Sequence, residues 1–215
     1  MRVEVVNPIN FTSLNRPIKP FYRKVNNEVL YFSEINYNKK PKKDFLNDMF
    51  SFFLDNFANQ SAHPYWKLCR KGIPSFDANE YDNYIKHLIS NFNEIINDHD
   101  TTVMLAKDTN SKICAGIVAN TLNIPKKNNK RILYLNLLAV NKDYRKNHIA
   151  QKLVNELIEN SKGRYDKVFL VSYNESVPFY KKLGFKTTKD NELIEHFAKE
   201  RKDYPEFASF LFKKI

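Results

Sequence analysis

The 215-residue sequence predicts an α+β fold. Three features carry that reading. The run ILYLNLLAV at Ile132–Val140 is apolar along nearly its whole length, as a central strand buried on both faces must be. Ahead of it, two stretches repeat apolar residues at three- and four-residue steps, the spacing that puts one buried stripe on a helix. Behind it, helical and strand-like segments alternate, so that residues 132–171 make a single strand, helix, strand crossover.

Residues 1–27 hold three of the nine prolines and little periodicity, and read as an N-terminal arm with a short strand at residues 2–6. Residues 28–215 read as one domain. Residues 29–35 alternate as a strand does. From Lys43, the apolar positions Phe45, Met49, Phe52, Phe53 and Phe57 mark the first helix. Residues 59–76, with Pro64, Gly72 and Pro74, form a loop in which Trp66 either belongs to a mobile lid or anchors the chain by a buried indole. Asp77 caps a second helix with Tyr81, Tyr84, Ile85, Leu88, Ile89 and Phe92 on its buried side. Strands follow at 102–106 and 113–119, joined by a hairpin turn at 108–111, and a polar turn at 123–130 leads into the central run. A helix at 150–158 is marked by Ile149, Leu153, Val154 and Leu157, and then come a strand at 168–171, a short helix at 176–183 and a last strand at 208–213.

Composition narrows the chemistry. Only Gly72, Gly116, Gly163 and Gly184 are glycine, where average usage would give roughly fifteen. They do not cluster, which excludes a Walker A loop or a GxGxxG turn, both of which use neighbouring glycines to bring backbone amides against phosphate. Hydrophobic residues make up 42% of the chain and charged ones 27%, the balance of an ordered globular protein, and no apolar run reaches the ~20 residues of a membrane-crossing helix. No secretory signal is expected, since the N-terminal segment has no apolar run. Cys69 and Cys114 are too few for a disulfide framework and lack CxxC spacing, which fits the reducing cytoplasm. No histidine pairs with them at metal-ligand spacing, so no metal site is expected. The net charge of +11 raises nucleic acid as a partner. Against it, the lysines are dispersed, and 27 asparagines alongside many Lys, Ile, Phe and Tyr residues are what AT-rich codons favour. A continuous phosphate-tracking stripe is missing, and a bound polyanionic cofactor suits the charge better.

Two segments carry the chemistry. In LLAVNKDYRKNHIAQKLV, residues 137–154, a buried strand ends at Val140, a short turn follows and a helix opens around Asn147. A helix N-terminus offers unpaired amides and the positive end of its dipole, which suit a pyrophosphate, and Arg145 and Lys146 add charge there; a solvated basic turn is the other reading. In VSYNESVPFYKKLGFKTT, residues 171–188, a strand ends, a helix opens with Ser176 as N-cap and Pro178 in its first turn, and Gly184 breaks it directly before Phe185.

These segments resemble the GNAT superfamily of acetyl-CoA-dependent N-acetyltransferases. The first matches the family's strand ending Leu-Ala-Val, its Tyr-Arg pair and its Arg/Gln-x-x-Gly-x-Gly/Ala turn at Leu138, Ala139, Val140, Tyr144, Arg145 and Ala150; Lys146 and His148 stand where the family commonly has glycine. The second matches Asn-x-x-x-x-x-Tyr-x-x-x-Gly-Phe at Asn174, Tyr180, Gly184 and Phe185. The resemblance is specific over residues 131–188, topological over 28–130 and does not cover 1–27. The paired early helices and Phe52, Phe53, Leu54 and Asp55 look somewhat like the arylalkylamine acetyltransferase branch.

The resemblance implies a central mixed, mostly antiparallel twisted sheet flanked by helices. It implies acetyl-CoA as cosubstrate, a small-molecule or peptide amine as acceptor, direct attack in a ternary complex, and no membrane partner. Backbone groups of Leu138, Ala139 and Val140 would hold the pantetheine arm, amides of Arg145, Lys146, Asn147, His148, Ile149 and Ala150 the pyrophosphate, and Asn174 would assist. Tyr180 would donate a proton to the departing thiolate, unless it is a packed core aromatic. Tyr134 occupies the position where many relatives carry a glutamate base. Asp55, Glu175 or a water relay would substitute, with Ser172 binding the acceptor or such a water. His148 faces solvent, touches a phosphate or crowds the cradle, the first being favoured. A non-catalytic acyl-CoA-binding module remains the alternative, and both monomer and homodimer stay open.

Overall fold

The computed structural model describes residues 19–25, 28–35, 43–57, 86, 89, 90, 92, 94, 101–122, 131–198 and 208–215. Its strands are β1 (Phe21–Val25), β2 (Glu28–Glu34), β3 (Thr102–Lys107), β4 (Ile113–Leu122), β5 (Ile132–Val140), β6 (Lys167–Tyr173), β7 (Lys186–Thr187) and β8 (Ala208–Lys214). They form one sheet in the order β1-β2-β3-β4-β5-β6-β8-β7, antiparallel throughout except between β5 and β6. The helices are α1 (Lys43–Phe57), α2 (Ile149–Ser161), α3 (Val177–Lys182) and α4 (Asn191–Ala198). The α+β architecture with a mixed, mostly antiparallel sheet is the one the sequence predicts.

The sheet is covered on both faces. On one, Ile149, Leu153, Val154, Leu157 and Ile158 of α2 and Tyr180 of α3 pack on Ile117, Leu133, Leu135 and Val168. On the other, Met49, Phe52 and Phe53 of α1 pack on Val103, Leu105, Val118 and Ala139, while Leu193 of α4 meets Ile132, Phe169 and Phe210 further along. Each large side chain fully buried this way contributes about 1.5–3 kcal/mol. The predicted hairpin turn forms as an Asx turn, Asp108 Oδ1 accepting from the Asn110 and Lys112 amides, both at 2.9 Å.

Several elements differ from expectation. Phe21–Val25, read as part of an irregular arm, is a strand paired with β2 from Phe21↔Phe32 to Val25↔Glu28. Its alternation is real, with Tyr22 and Lys24 exposed and Val25 buried, but five residues beside Pro17 and Pro20 give a weak period. The two-residue β7 is too short for any period, and α4 was not expected. Helix α2 begins at Ile149, two residues beyond Asn147. The strand expected at 2–6, the loop at 59–76 and most of the second helix lie outside the described residues; Lys86, Ile89, Ser90, Phe92 and Glu94 within that helix are helical. Among the described residues no helix is long and apolar enough to cross a membrane.

One irregularity inside the central strand positions everything at its end. The β4–β5 register runs Val118↔Leu137 and then Ala119↔Leu135, so Asn136 is the extra residue of a β-bulge. Side chains change face across it: Ile132 and Tyr134 belong to the α4 side, and Leu137 and Ala139, of opposite parity, to the neighbouring α1 side. Asn136 Nδ2 donates to Asn120 Oδ1 on β4, which pins the bulge. Parallel pairing to β6 stops just before it, at Tyr134↔Phe169.

Gly116 on β4 permits the approach of α1. A Cβ there would stand 2.8 Å from Phe53 Cζ and 2.9 Å from Leu105 Cδ2, inside contact distance of two core side chains. Gly116→Ala is therefore expected to destabilise the protein by about 1–3 kcal/mol through overpacking. Urea denaturation checks this, and a midpoint equal to wild type would contradict the packing described.

Candidate active site

The site begins where β5 and β6 part. Beyond Tyr134, residues 135–140 of β5 are paired to β4 on one edge only, while β6 runs on to Tyr173 held by β8. Among the described residues, the strand's other edge therefore presents backbone N–H and C=O groups with no strand opposite. Such groups need partners, and an extended amide-bearing ligand or water can supply them.

The turn after β5 is tightly tied. Arg145 Nε donates to Val140 O at 3.0 Å, and Asn147 Nδ2 donates to Tyr144 O and Arg145 O at 3.3 and 3.2 Å. Lys146 and His148 both lie in the left-handed region, at φ 66° and 57°. Their substitution for glycine thus concerns backbone conformation as well as room. For residues with a Cβ that region costs about 1–2 kcal/mol each. His148 is the N-cap of α2 and makes no side-chain cap bond. Its exposed ring bonds Gln151 Oε1 through Nδ1 at 3.1 Å instead, which leaves the first-turn amides of α2 open to an anion.

Opposite stands α3, ended by a Schellman motif. Phe185 N–H donates to Tyr180 O and Gly184 N–H to Lys181 O, at 3.1 and 3.0 Å, with Gly184 at φ 84°. The geometry brings the Phe185 ring onto Tyr180, edge to face at 5.6 Å, and Phe179 also meets it edge to face at 5.0 Å. The Tyr-x-x-x-Gly-Phe spacing is thus a helix stop that fixes the Tyr180 ring. Burial pushes the Tyr180 phenol well above its ordinary pKa.

Between these parts lies a cavity of about 830 Å³. Leu138, Ala139 and Val140 of β5 line it, with Tyr144, Arg145, Lys146 and His148 of the turn, Ile149, Ala150 and Gln151 of α2, and Ser176, Phe179, Tyr180, Lys182 and Leu183 around α3. Asn56 and Phe57 close it from the end of α1. Chemically this joins an unpaired strand edge, a cationic helix start and a buried phenol.

Most of the sequence-predicted residues meet here, but some lie elsewhere. Asp55 is exposed and does not line the cavity, whereas its neighbour Asn56 does, its Nδ2 donating to Phe52 O at 2.8 Å. Ser172 is buried and donates to Tyr173 O at 3.0 Å, and Asn174 Oδ1 accepts from Ser209 at 2.8 Å; neither lines the cavity. Ser176 makes no side-chain cap bond, because a 3-10 turn at Asn174–Ser176 runs straight into α3. Asn147 spends its side chain inside the turn. Tyr134 packs on Phe169 at 5.8 Å. Phe57 and Gln151 escaped the sequence reading; the three-residue step from His148 to Gln151 is the signal that could have found the latter.

A family model described as an acetyltransferase (GNAT) domain matches residues 70–198, more than half of the chain. No curated protein sequence matches. Among solved structures, an N-acetyltransferase from Thermoplasma acidophilum in complex with coenzyme A is 14% identical, with TM-score 0.53 over 86% of this chain and 99% of that one. A GNAT-family acetyltransferase from Staphylococcus aureus is 17% identical, with TM-score 0.53 over 85% and 98%. Arabidopsis thaliana NAA60, in complex with a bisubstrate analogue, is 17% identical, with TM-score 0.52 over 86% and 98%. At these identities the likeness is one of fold.

Returning glycine to the left-handed positions relieves backbone strain but adds chain entropy to the unfolded state. Lys146→Gly and His148→Gly are each expected to stabilise the protein by about 0.5–1 kcal/mol, the left-handed cost less the entropy of glycine. Calorimetric melting would then rise by about 1–4 °C for each. A fall in both variants would show that their side chains hold the turn.

Proposed function

The chain belongs to the GNAT acetyltransferase family, and on that premise we propose that it transfers an acetyl group from acetyl-CoA to a primary amine by direct attack within a ternary complex. One observation carries the reading: the unpaired edge of β5 opens into a cavity that also holds the α2 N-terminus and the Tyr180 phenol. Acetyl-CoA, when bound, supplies an extended amide-bearing arm, a charged diphosphate and an acyl thioester, each suited to one of those parts.

Backbone groups at Leu138, Ala139 and Val140 pair with the arm and orient the thioester carbonyl. Amides of the first turn of α2, with Arg145, Lys146 and His148 beside them, hold the phosphates. The Arg145 N–H already donates to Lys142 O at 3.3 Å, so Arg145 contributes its guanidinium rather than its amide. The acceptor enters past Asn56 and Phe57, where Asp55 on the adjoining exposed face takes up the amine proton through water. Ser172 and Asn174 support the end of β6 instead of touching substrate. Tyr180 gives its proton to the departing thiolate. The phenol is protonated at neutral pH even at its ordinary pKa, which burial raises further, and it needs no prior charge change.

Thiol release from acetyl-CoA in the presence of an amine panel tests the activity. Tyr180→Phe is expected to lower kcat by about 10²- to 10⁴-fold, with coenzyme A affinity by calorimetry unchanged. Equal turnover in the variant would make Tyr180 a packing residue, and silence of the wild type across the panel despite coenzyme binding would favour a non-catalytic module. The pH profile has a defined sign. A general acid works while protonated, and its raised pKa moves the loss of activity to the alkaline side of the ordinary phenol value of about 10. A falling limb near neutrality that vanishes in Tyr180→Phe would contradict the assignment.

A further inference from the structure

We propose that Glu28 is a positioning residue for the coenzyme-binding turn, acting through Tyr144. The inference rests on the reading that the cavity takes acetyl-CoA. Tyr144 OH donates to Glu28 Oε2 at 2.7 Å, joining the start of β2 to a turn 116 residues away in sequence. Tyr144 ends the 3-10 turn at Lys142–Tyr144, directly before Arg145, and both residues line the cavity. On the β4 side, Asn141 N–H donates to Cys114 O at 2.8 Å, while the Cys114 thiol donates to Lys112 O at 3.4 Å. The turn is thus held from β4 and from β2. Donating to Glu28 favours the neutral phenol and raises its pKa, so the donor proton stays in place.

The turn needs this tether more than a glycine-containing one would. Left-handed conformations in residues with a Cβ persist only where the surroundings over-determine them, and Lys146 and His148 follow Tyr144 by two and four residues. Released at Tyr144, the segment would relax toward ordinary φ values and rotate its amides away from a ligand. The same hairpin also braces α2, where Lys152 Nζ lies 4.9 Å over the Phe21 ring and Phe21 stacks on Phe32 at 4.6 Å. The β1–β2 hairpin therefore grips the turn and the helix that follows it.

Two measurements on the full chain test the proposal: calorimetric Kd for coenzyme A, and hydrogen exchange of amides 145–150 without ligand. Glu28→Ala and Tyr144→Phe are each expected to weaken coenzyme A binding about fivefold, the worth of one hydrogen bond, and to speed exchange of those amides. Glu28→Gln keeps an acceptor and should restore both to within about twofold of wild type. If Glu28 acts through Tyr144, the double variant binds no more weakly than either single one. Additive losses, or wild-type affinity and exchange in Glu28→Ala, overturn the proposal. A wild-type chain that does not bind coenzyme A overturns the reading beneath it, an outcome visible before any variant is made.

Discussion

Among the described residues, one edge of the last stretch of β5 pairs with no strand, and the architecture around it follows from that. Inside a protein an unpaired peptide group costs about 1–3 kcal/mol, so a strand edge is left bare only where water or a ligand can reach it. The bulge at Asn136 sets the point of departure: β5 bends there, its side chains exchange faces, and its pairing to β6 has already stopped at Tyr134. Beyond that point, among the described residues, only β4 pairs with the strand. The α1 contact through Gly116 and Phe53 supports the same stretch from one face, while α2 and α3 cover the other. A rigid scaffold on three sides of one open edge is what a site for an extended ligand requires.

The second fixed point is a helix ending. A six-residue helix such as α3 has little stability of its own, yet it carries the side chain with the most demanding role. Its Schellman bonds, the left-handed Gly184, the Phe185 ring and the Lys213 ammonium donating to Leu183 O at 2.7 Å all converge on its last turn. Tyr180 is thereby held in contact with two aromatic rings and lines the cavity. What reads in sequence as a spaced motif is in physical terms a stop signal whose hydrophobic contact is the functional residue itself.

Legibility in the sequence tracks the strength of local periodicity. The bounds of β5 were readable to the residue, because nothing but a buried strand explains nine nearly continuous apolar residues. The bulge inside it was not, since a change of parity leaves no trace where both faces are apolar and Asn136 looks like a single polar interruption. Asp55 was singled out for its charge, but consecutive helical residues point about 100° apart, and packing brings Asn56 rather than Asp55 to the cavity wall. Ser172 and Asn174 sit at the end of the correct strand, yet their polar atoms are spent on Tyr173 and Ser209. The bond between Tyr144 and Glu28 spans a separation that no sequence window can join.

The shortage of glycine acquires a physical meaning at the turn after β5. A glycine reaches a left-handed φ without strain but brings no side chain, and leaves the turn free to sample other shapes. Lys146 and His148 reach the same φ at a cost, which the Arg145 bond to Val140 O, the Asn147 bonds to two turn carbonyls and the Tyr144 bond to Glu28 together offset. In exchange the chain places an ammonium and an imidazole on the wall of a cavity already entered by the positive end of α2. Arg145, Lys146 and Lys182 bring a small part of the chain's dispersed basic excess to that wall, where polyanion recognition would use it. A turn built this way depends on distant tethers for its shape, whereas a glycine turn carries its conformational freedom within itself.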